Sequence, residues 1–211
     1  MKEKGGATLE QAYVSSITDE IFARIDGLSY KADCPLPLED LRYLRFLHRD
    51  IHGSVLVGEM ICHVCIVHDL IDIFKRLYQA GYPVEKIRLI DEYGADDEIS
   101  MRDNNSSCFN FRFISHTRRI SKHGLGLAVD VNPLYNPYVK TVAGRQVSEP
   151  ATAAAYCERQ RDFPYKLQKG DLCYRLFTEH GFLWGGDWTD RKDYQHFEVS
   201  DEMAAILGRR T

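Results

Sequence analysis

SKHGLGLAVDVNP at residues 121–133, taken with KDYQHFE at residues 192–198, decides how this chain is to be read. The first segment holds His123 and Asp130, and the second holds His196. Two imidazoles and a carboxylate are a ligand set that zinc takes in catalytic sites, where three protein ligands leave a fourth position for water. Asp193 stands three residues before His196, where a carboxylate can reach that water. His123 and Asp130 are seven residues apart, too far to be neighbours on one helical face. The glycines between them point to a turn running into a strand, with Asp130 at a later inward-facing position. The segment 126–132 alternates as a buried strand, and Pro133, Asn136 and Pro137 end it. Neither the His–Asp pair nor a lone His196 carries weight alone; their joint occurrence in this sequence context does.

Working outward, residues 171–180 read as a helix running into Gly181. Phe182–Trp184 and His196–Val199 read as the last strands, and a helix runs from Asp201 over 201–211. Toward the N-terminus, Ala12, Ile17, Ile21, Ile25 and Leu28 have helical spacing, which predicts a helix over 9–28. A second helix is expected to open at Leu38-Glu39-Asp40, with Leu41, Leu44 and Leu47 repeating along it. The longest, over 58–80, is apolar on most of its circumference, is expected to be the central buried helix, and stops at Gly81 before Pro83. Residues 84–90 read as a strand and 91–112 as a polar loop. Residues 140–170 read as an insertion with a short strand at 141–147. The expectation is one α+β domain over 1–211: a helical part at 1–80, a core at 81–200 whose small antiparallel sheet carries the site, and the closing helix.

A length of 211 residues suffices for one substantial core but not for two full domains. Apolar content of 44% beside 27% charged residues is ordinary for a globular protein. A formal net charge of −4 with no basic run leaves no nucleic-acid footprint. No stretch approaches the ~18 consecutive apolar residues of a membrane span, and the opening MKEKGGATLEQ has no apolar h-region of a signal peptide. The six cysteines are scattered rather than framed as a disulfide scaffold. Cys62 and Cys65 form a CxxC without a second pair to complete a zinc site; within an apolar helical run both are expected to be buried small hydrophobes.

SKHGLGLAVDVNP resembles the S-x-H-x-x-G-x-A-x-D signature of the zinc D-alanyl-D-alanine peptidases, which include the vancomycin-resistance D,D-peptidases. WGGDW at 184–188, followed by DYQHFE, is similar to the branch containing the phage L-alanyl-D-glutamate endopeptidases. The two motifs span about 121–198; residues 1–80 add little. The resemblance implies a hedgehog/DD-peptidase-like fold in which His123, Asp130 and His196 hold Zn2+ and Asp193 is the acidic general base. Most D,D-dipeptidases carry Glu at that position, whereas the endopeptidase branch carries Asp. Ser121 matches the leading serine, which helps hold substrate in that family; as a bare serine before a turn it could equally be a cap. The family's arginine, which binds a substrate carboxylate, sits in an S-G-Y-R-type stretch. Here that stretch reads DEYGADDEISMR at 91–102, so the pattern departs. Arg112 is the choice for this role, with Arg102 second, and Arg118 and Arg119 read as surface charge.

Trp184 and Trp188 read either as a packed aromatic turn that orients the His196 strand or as substrate contacts. Asp187 is a candidate partner for the second nitrogen of a ligating histidine. His180 is expected to make a local cap contact, His63 and His68 read as structural, and no motif claims His116. The expected function is a zinc peptidase of peptidoglycan stem peptides, cutting either a terminal D-Ala–D-Ala bond or the internal L-Ala–D-Glu bond. An envelope, periplasmic or extracellular location follows from that substrate. The alternative is a catalytically silent, hedgehog-like zinc domain that binds wall peptides or a protein partner.

Overall fold

The computed structural model describes residues 12–114 and 117–207. β1 (Tyr13–Ser16), β2 (Leu41–Arg49) and β3 (Val55–His63) lie antiparallel in that order, with α1 (Asp19–Ile25) between the first two. The expected helices over 9–28, over 38–47 and at the start of 58–80 are therefore corrected to strand, apart from α1; residues 9–11 lie outside the described part. The physical reason is burial on both faces. Leu44, Phe46, Met60 and Cys62 face one apolar cluster, while Leu41, Tyr43 and Ile61 face another with Ile21 and Ile25. A strand covered on both sides loses its alternation, and its apolar residues then mimic helical spacing.

α2 (Val67–Gln79) is the true extent of the long helix. Its buried Leu70, Ile73, Phe74 and Leu77 pack on the sheet, with Phe74 stacked on Phe46 at 4.6 Å between ring centroids. It stops where expected, at Gly81 with φ 70°. Cys62 lies near the end of β3 and is buried, whereas Cys65 is exposed in the 3-10 turn before α2, so the CxxC lies outside the expected α-helix and only one of its thiols is buried.

The segment expected as strand 84–90 shortens to β4 (Lys86–Ile87), which pairs in parallel with β5 (Asn105–Ser106). Between them lies α3 (Asp97–Arg102), inside the expected loop; the Asp96 carboxylate caps it by accepting from the Ile99 amide at 3.0 Å. β6 (Ala128–Asp130) follows. The expected strand at 141–147 is instead a hairpin of β7 (Tyr138–Val142) and β8 (Arg145–Glu149). Ala143 and Gly144 turn it with φ 49° and 76°, the positive pair that a two-residue hairpin loop requires.

α4 (Leu172–Glu179), β9 (Phe182–Trp184), β10 (Lys192–Asp193), β11 (His196–Val199) and α5 (Asp201–Leu207) complete the chain. The Asp171 carboxylate caps α4 by accepting from the Tyr174 amide at 2.8 Å. One small sheet has the order β6-β11-β9 and another β10-β7-β8. Phe177 of α4 stacks on Phe197 of β11 with centroids 4.1 Å apart, so the main apolar cluster lies directly behind the first of these sheets. The result is a single mixed α+β domain with helices on small, largely antiparallel sheets, as expected, but with a three-stranded sheet beside α1 and α2 in place of an all-helical 1–80. Among the described residues no helix is long and apolar enough to cross a membrane.

Candidate active site

Asp130 and His196 are direct cross-strand partners on β6 and β11. His123 comes from a short 3-10 turn, His123–Leu125, just before β6. The glycines of the first motif have steric reasons. A Cβ on Gly126, whose φ is 64°, would sit 2.7 Å from the His63 amide nitrogen, and one on Gly124 would sit 2.7 Å from Ile120 Cγ2. Ser121 closes the turn, its buried hydroxyl accepting from the Gly124 amide at 2.9 Å. It thus makes the cap contact and also lines the cleft.

The three side chains converge. His123 Nε2 is 3.3 Å from Asp130 Oδ2, His196 Nδ1 is 3.0 Å from Asp130 Oδ1, and the two nitrogens are 3.2 Å apart. A tetrahedral ion with bonds of 2.0–2.1 Å sets its ligands roughly 3.3 Å apart. One ligand atom from each of the three residues lies within 4.8 Å of the others, so the group could hold a metal ion. Its nitrogen and oxygen donors are of the kind zinc takes. The outward nitrogens are also engaged. His123 Nδ1 is 2.7 Å from the Cys108 carbonyl, and His196 Nε2 is 3.1 Å from Glu198 Oε2. With the outward N–H groups donating in this way, each imidazole would turn its other nitrogen toward a metal, which would displace any proton held there. Asp187 does not fill this role: its carboxylate accepts from Lys169 at 2.8 Å and from the Tyr174 hydroxyl at 3.2 Å, away from either histidine.

Charge balance in the group is strong. Burial pulls the His196 pKa down, but hydrogen bonds to Asp130 and Glu198 outweigh it and raise it to about 10. Against the upward pull of burial, His123 and His196 hold the Asp130 carboxyl well below the usual range. Asp193, on β10, is driven up to about 7, first by burial and then by the Asp130 charge, although His196 draws it back. Its Oδ1 accepts no hydrogen bond among the described residues.

WGGDW serves this arrangement. A Cβ on Gly185 would meet the Asp193 carbonyl oxygen at 2.6 Å, Gly186 lies against the Trp184 ring, and the Trp184 indole N–H donates to the Tyr194 carbonyl at 3.0 Å. Trp184 is therefore packing. Trp188 lines the cleft, its ring 5.5 Å from His196 and under the Arg191 guanidinium at 4.6 Å.

The cleft holds about 860 Å³. Arg112 lines it and forms an ion pair with Asp97, Nε to Oδ2 at 2.6 Å, although the N–H is not aligned for a hydrogen bond. The other oxygen of Asp97 accepts from Asn110 at 2.9 Å. Arg102 instead pairs with Glu98 along α3 at 2.8 Å. Arg119 is exposed, as expected, and pairs with Asp201 at 3.2 Å on the cleft rim. The His180 side chain is not a local cap: it bridges Asp69 and Asp72 of α2 at 2.9 and 3.1 Å. His63 caps the turn before α2, accepting from the Cys65 amide at 3.2 Å, and His68 is exposed. His116 lies outside the described residues.

Sequence reading missed Glu198, Asp97 and the Cys108 carbonyl. The signal for Glu198 was available: two residues beyond His196 in a strand, it shares that residue's face. Nothing in the residues around Asp97 or Cys108 marks their roles.

Residues 115–199 match the family model described as D-alanyl-D-alanine carboxypeptidase. The resemblance read from SKHGLGLAVD and DYQHFE is borne out over the stretch that carries this geometry, and it supports a metallopeptidase of the carboxypeptidase kind. No curated protein and no solved structure matches the chain.

Proposed function

We propose, from the D-alanyl-D-alanine carboxypeptidase match over 115–199, that the chain is a zinc-dependent peptidase of peptidoglycan stem peptides forming one peptidase domain. In this reading His123, Asp130 and His196 hold the metal, Asp193 is the acid–base group, and Arg112 and Ser121 contact substrate. The observation that carries it is the convergence of His123, Asp130 and His196, one ligand atom from each lying within 4.8 Å of the others, with an unengaged Asp193 oxygen in the same cleft. When bound, zinc supplies Lewis-acid polarisation of a carbonyl and acidification of water.

The chain's own residues do the rest. Asp193, with an unengaged oxygen in the same cleft, is placed to take a proton from the attacking water and return it to the leaving amine. Glu198 and the Cys108 carbonyl keep the two imidazoles turned inward. Arg112 is held through Nε by Asp97, which leaves its terminal nitrogens to meet a substrate carboxylate. That carboxylate is a C-terminus if the bond is D-Ala–D-Ala, or the free α-carboxylate of D-Glu if the bond is L-Ala–D-Glu. Either substrate implies an envelope or extracellular site of action.

Mass spectrometry of muropeptides incubated with the zinc-loaded protein, beside Asp193→Asn, tests this. Release of single D-Ala or of L-Ala-terminated fragments, lost in the variant, is expected. Intact muropeptides with one zinc bound per chain would overturn the enzyme in favour of a silent binding domain.

A further inference from the structure

The sheet β10-β7-β8 connects Asp193 to a surface that the site above does not use. Asp193 is paired with Tyr138, and Tyr138 with Glu149. Residues directly opposite in antiparallel strands point to the same face. That face also carries Lys140 opposite Val147 and Val142 opposite Arg145. Tyr138, Lys140 and Glu149 line the cleft, which shows which way the face looks. Val142 and Val147 continue it outward, 49% and 38% exposed. On the opposite face Val139 and Ser148 are half-buried, whereas Thr141 and Gln146 nearer the hairpin tip are exposed.

We propose that this side of the β7–β8 hairpin is an extended subsite that takes the three or four substrate residues lying to one side of the scissile bond. The inference rests on the peptidase reading for the position of that bond. Its length follows from strand geometry. From Tyr138, beside Asp193, to Val142 is four residues at ~3.3 Å each, or about 13 Å. An extended peptide covers that distance in three to four residues. A terminal dipeptide would leave the wall bare.

The chemistry of the wall selects the ligand. Val142 and Val147 offer apolar contact to small aliphatic side chains such as alanine methyls. Lys140 Nζ lies 3.6 Å from Glu149 and 5.2 Å from the Tyr138 ring centroid, in a half-exposed pair. Exposed pairs of this kind are weakly held, so Lys140 can exchange Glu149 for a carboxylate on the ligand. The subsite therefore fits a peptide that combines small apolar residues with a free carboxylate.

The test is a series of peptides lengthened one residue at a time on each side of the bond, given to the zinc-loaded protein, to V142S/V147S and to Lys140→Ala. Wild-type kcat/KM should rise about tenfold or more over three or four added residues on one side. The double variant should flatten that rise, and Lys140→Ala should remove the gain from a carboxylate-bearing residue. Ratios of long to short substrate cancel any general loss of activity. A rise that is absent, or equal in all three proteins, overturns the subsite while leaving the peptidase reading intact. If no peptide is cut, the peptidase reading fails, and calorimetric titration of the same series decides the subsite. Binding that tightens with length in wild type but not in V142S/V147S supports it; binding independent of length, or none, overturns it.

Discussion

Glu198 Oε2 lies 3.1 Å from His196 Nε2, two residues along the same strand, and faces the nitrogen that does not point at Asp130. In the neutral ring this contact favours the tautomer with its N–H on Nε2 and its lone pair on Nδ1. Loss of such an outer carboxylate typically weakens metal affinity ~10–100-fold. Glu198→Ala is expected to fall in that range, and Glu198→Gln, which can still accept the hydrogen bond, to lose less. Chelator competition reads both; equal affinity in all three proteins would show that the contact does not orient the ligand.

Asp97 should matter for substrate rather than for chemistry. It pairs with Arg112 at 2.6 Å, yet both side chains are more than a third exposed, so the pair adds little stability. Asp97→Asn is therefore expected to raise KM several-fold, with kcat and the unfolding midpoint nearly unchanged. A fall in kcat at constant KM would place Asp97 elsewhere in the mechanism.

Beyond the β7–β8 hairpin, most of the C-terminal elements were legible because they are short and sharply punctuated. Asp171, Gly181 and the alternation of HFEV mark α4, β9 and β11 without help from tertiary context. His123, Asp130, Asp193 and His196 could be singled out because two motifs occur together in order, and the structure brings all four to one cleft. β2 and β3 were not. Leu41 and Leu44 fall at helical spacing because they feed two different apolar clusters on opposite sides of one strand, and that is a property of the packed sheet. Asp97 was hidden for a related reason, since its partner Arg112 is fifteen residues away and only the fold brings them together.

His180 gives a pH signature far from the cleft. Burial pulls its pKa down, but Asp69 and Asp72 prevail and hold it above the ordinary 6.5. A raised folded-state value means the pair's stabilisation is fully present below about pH 6.5 and is lost as pH climbs through the folded-state pKa. The carboxylates are 39% and 49% exposed, which limits the effect to about 0.5–1 kcal/mol. His180→Gln should thus be less stable than wild type at pH 6 and nearly equal to it at pH 9. A stability gap that is constant across that range in urea unfolding would contradict the ion pair.

Gly185→Ala separates proton transfer from metal binding. Its backbone needs no left-handed conformation, so the substitution acts through space alone. The new methyl would lie 2.6 Å from the Asp193 carbonyl oxygen and 2.7 Å from its Cβ, and backbone cannot yield as a flexible side chain can. β10 must shift, carrying the carboxylate with it. Overpacking of this kind costs about 1–3 kcal/mol, so the variant should fold with a lowered midpoint. His123, Asp130 and His196 belong to the turn before β6 and to the β6–β11 pair, beyond the displaced strand. Zinc affinity is therefore expected to stay within a few-fold of wild type while kcat drops by at least tenfold, since misplacement of about 1 Å can cost 10²-fold. Parallel loss of zinc and activity would mean that β10 and the ligand sheet move as one body, and would remove the basis for treating Asp193 as a separately positioned group.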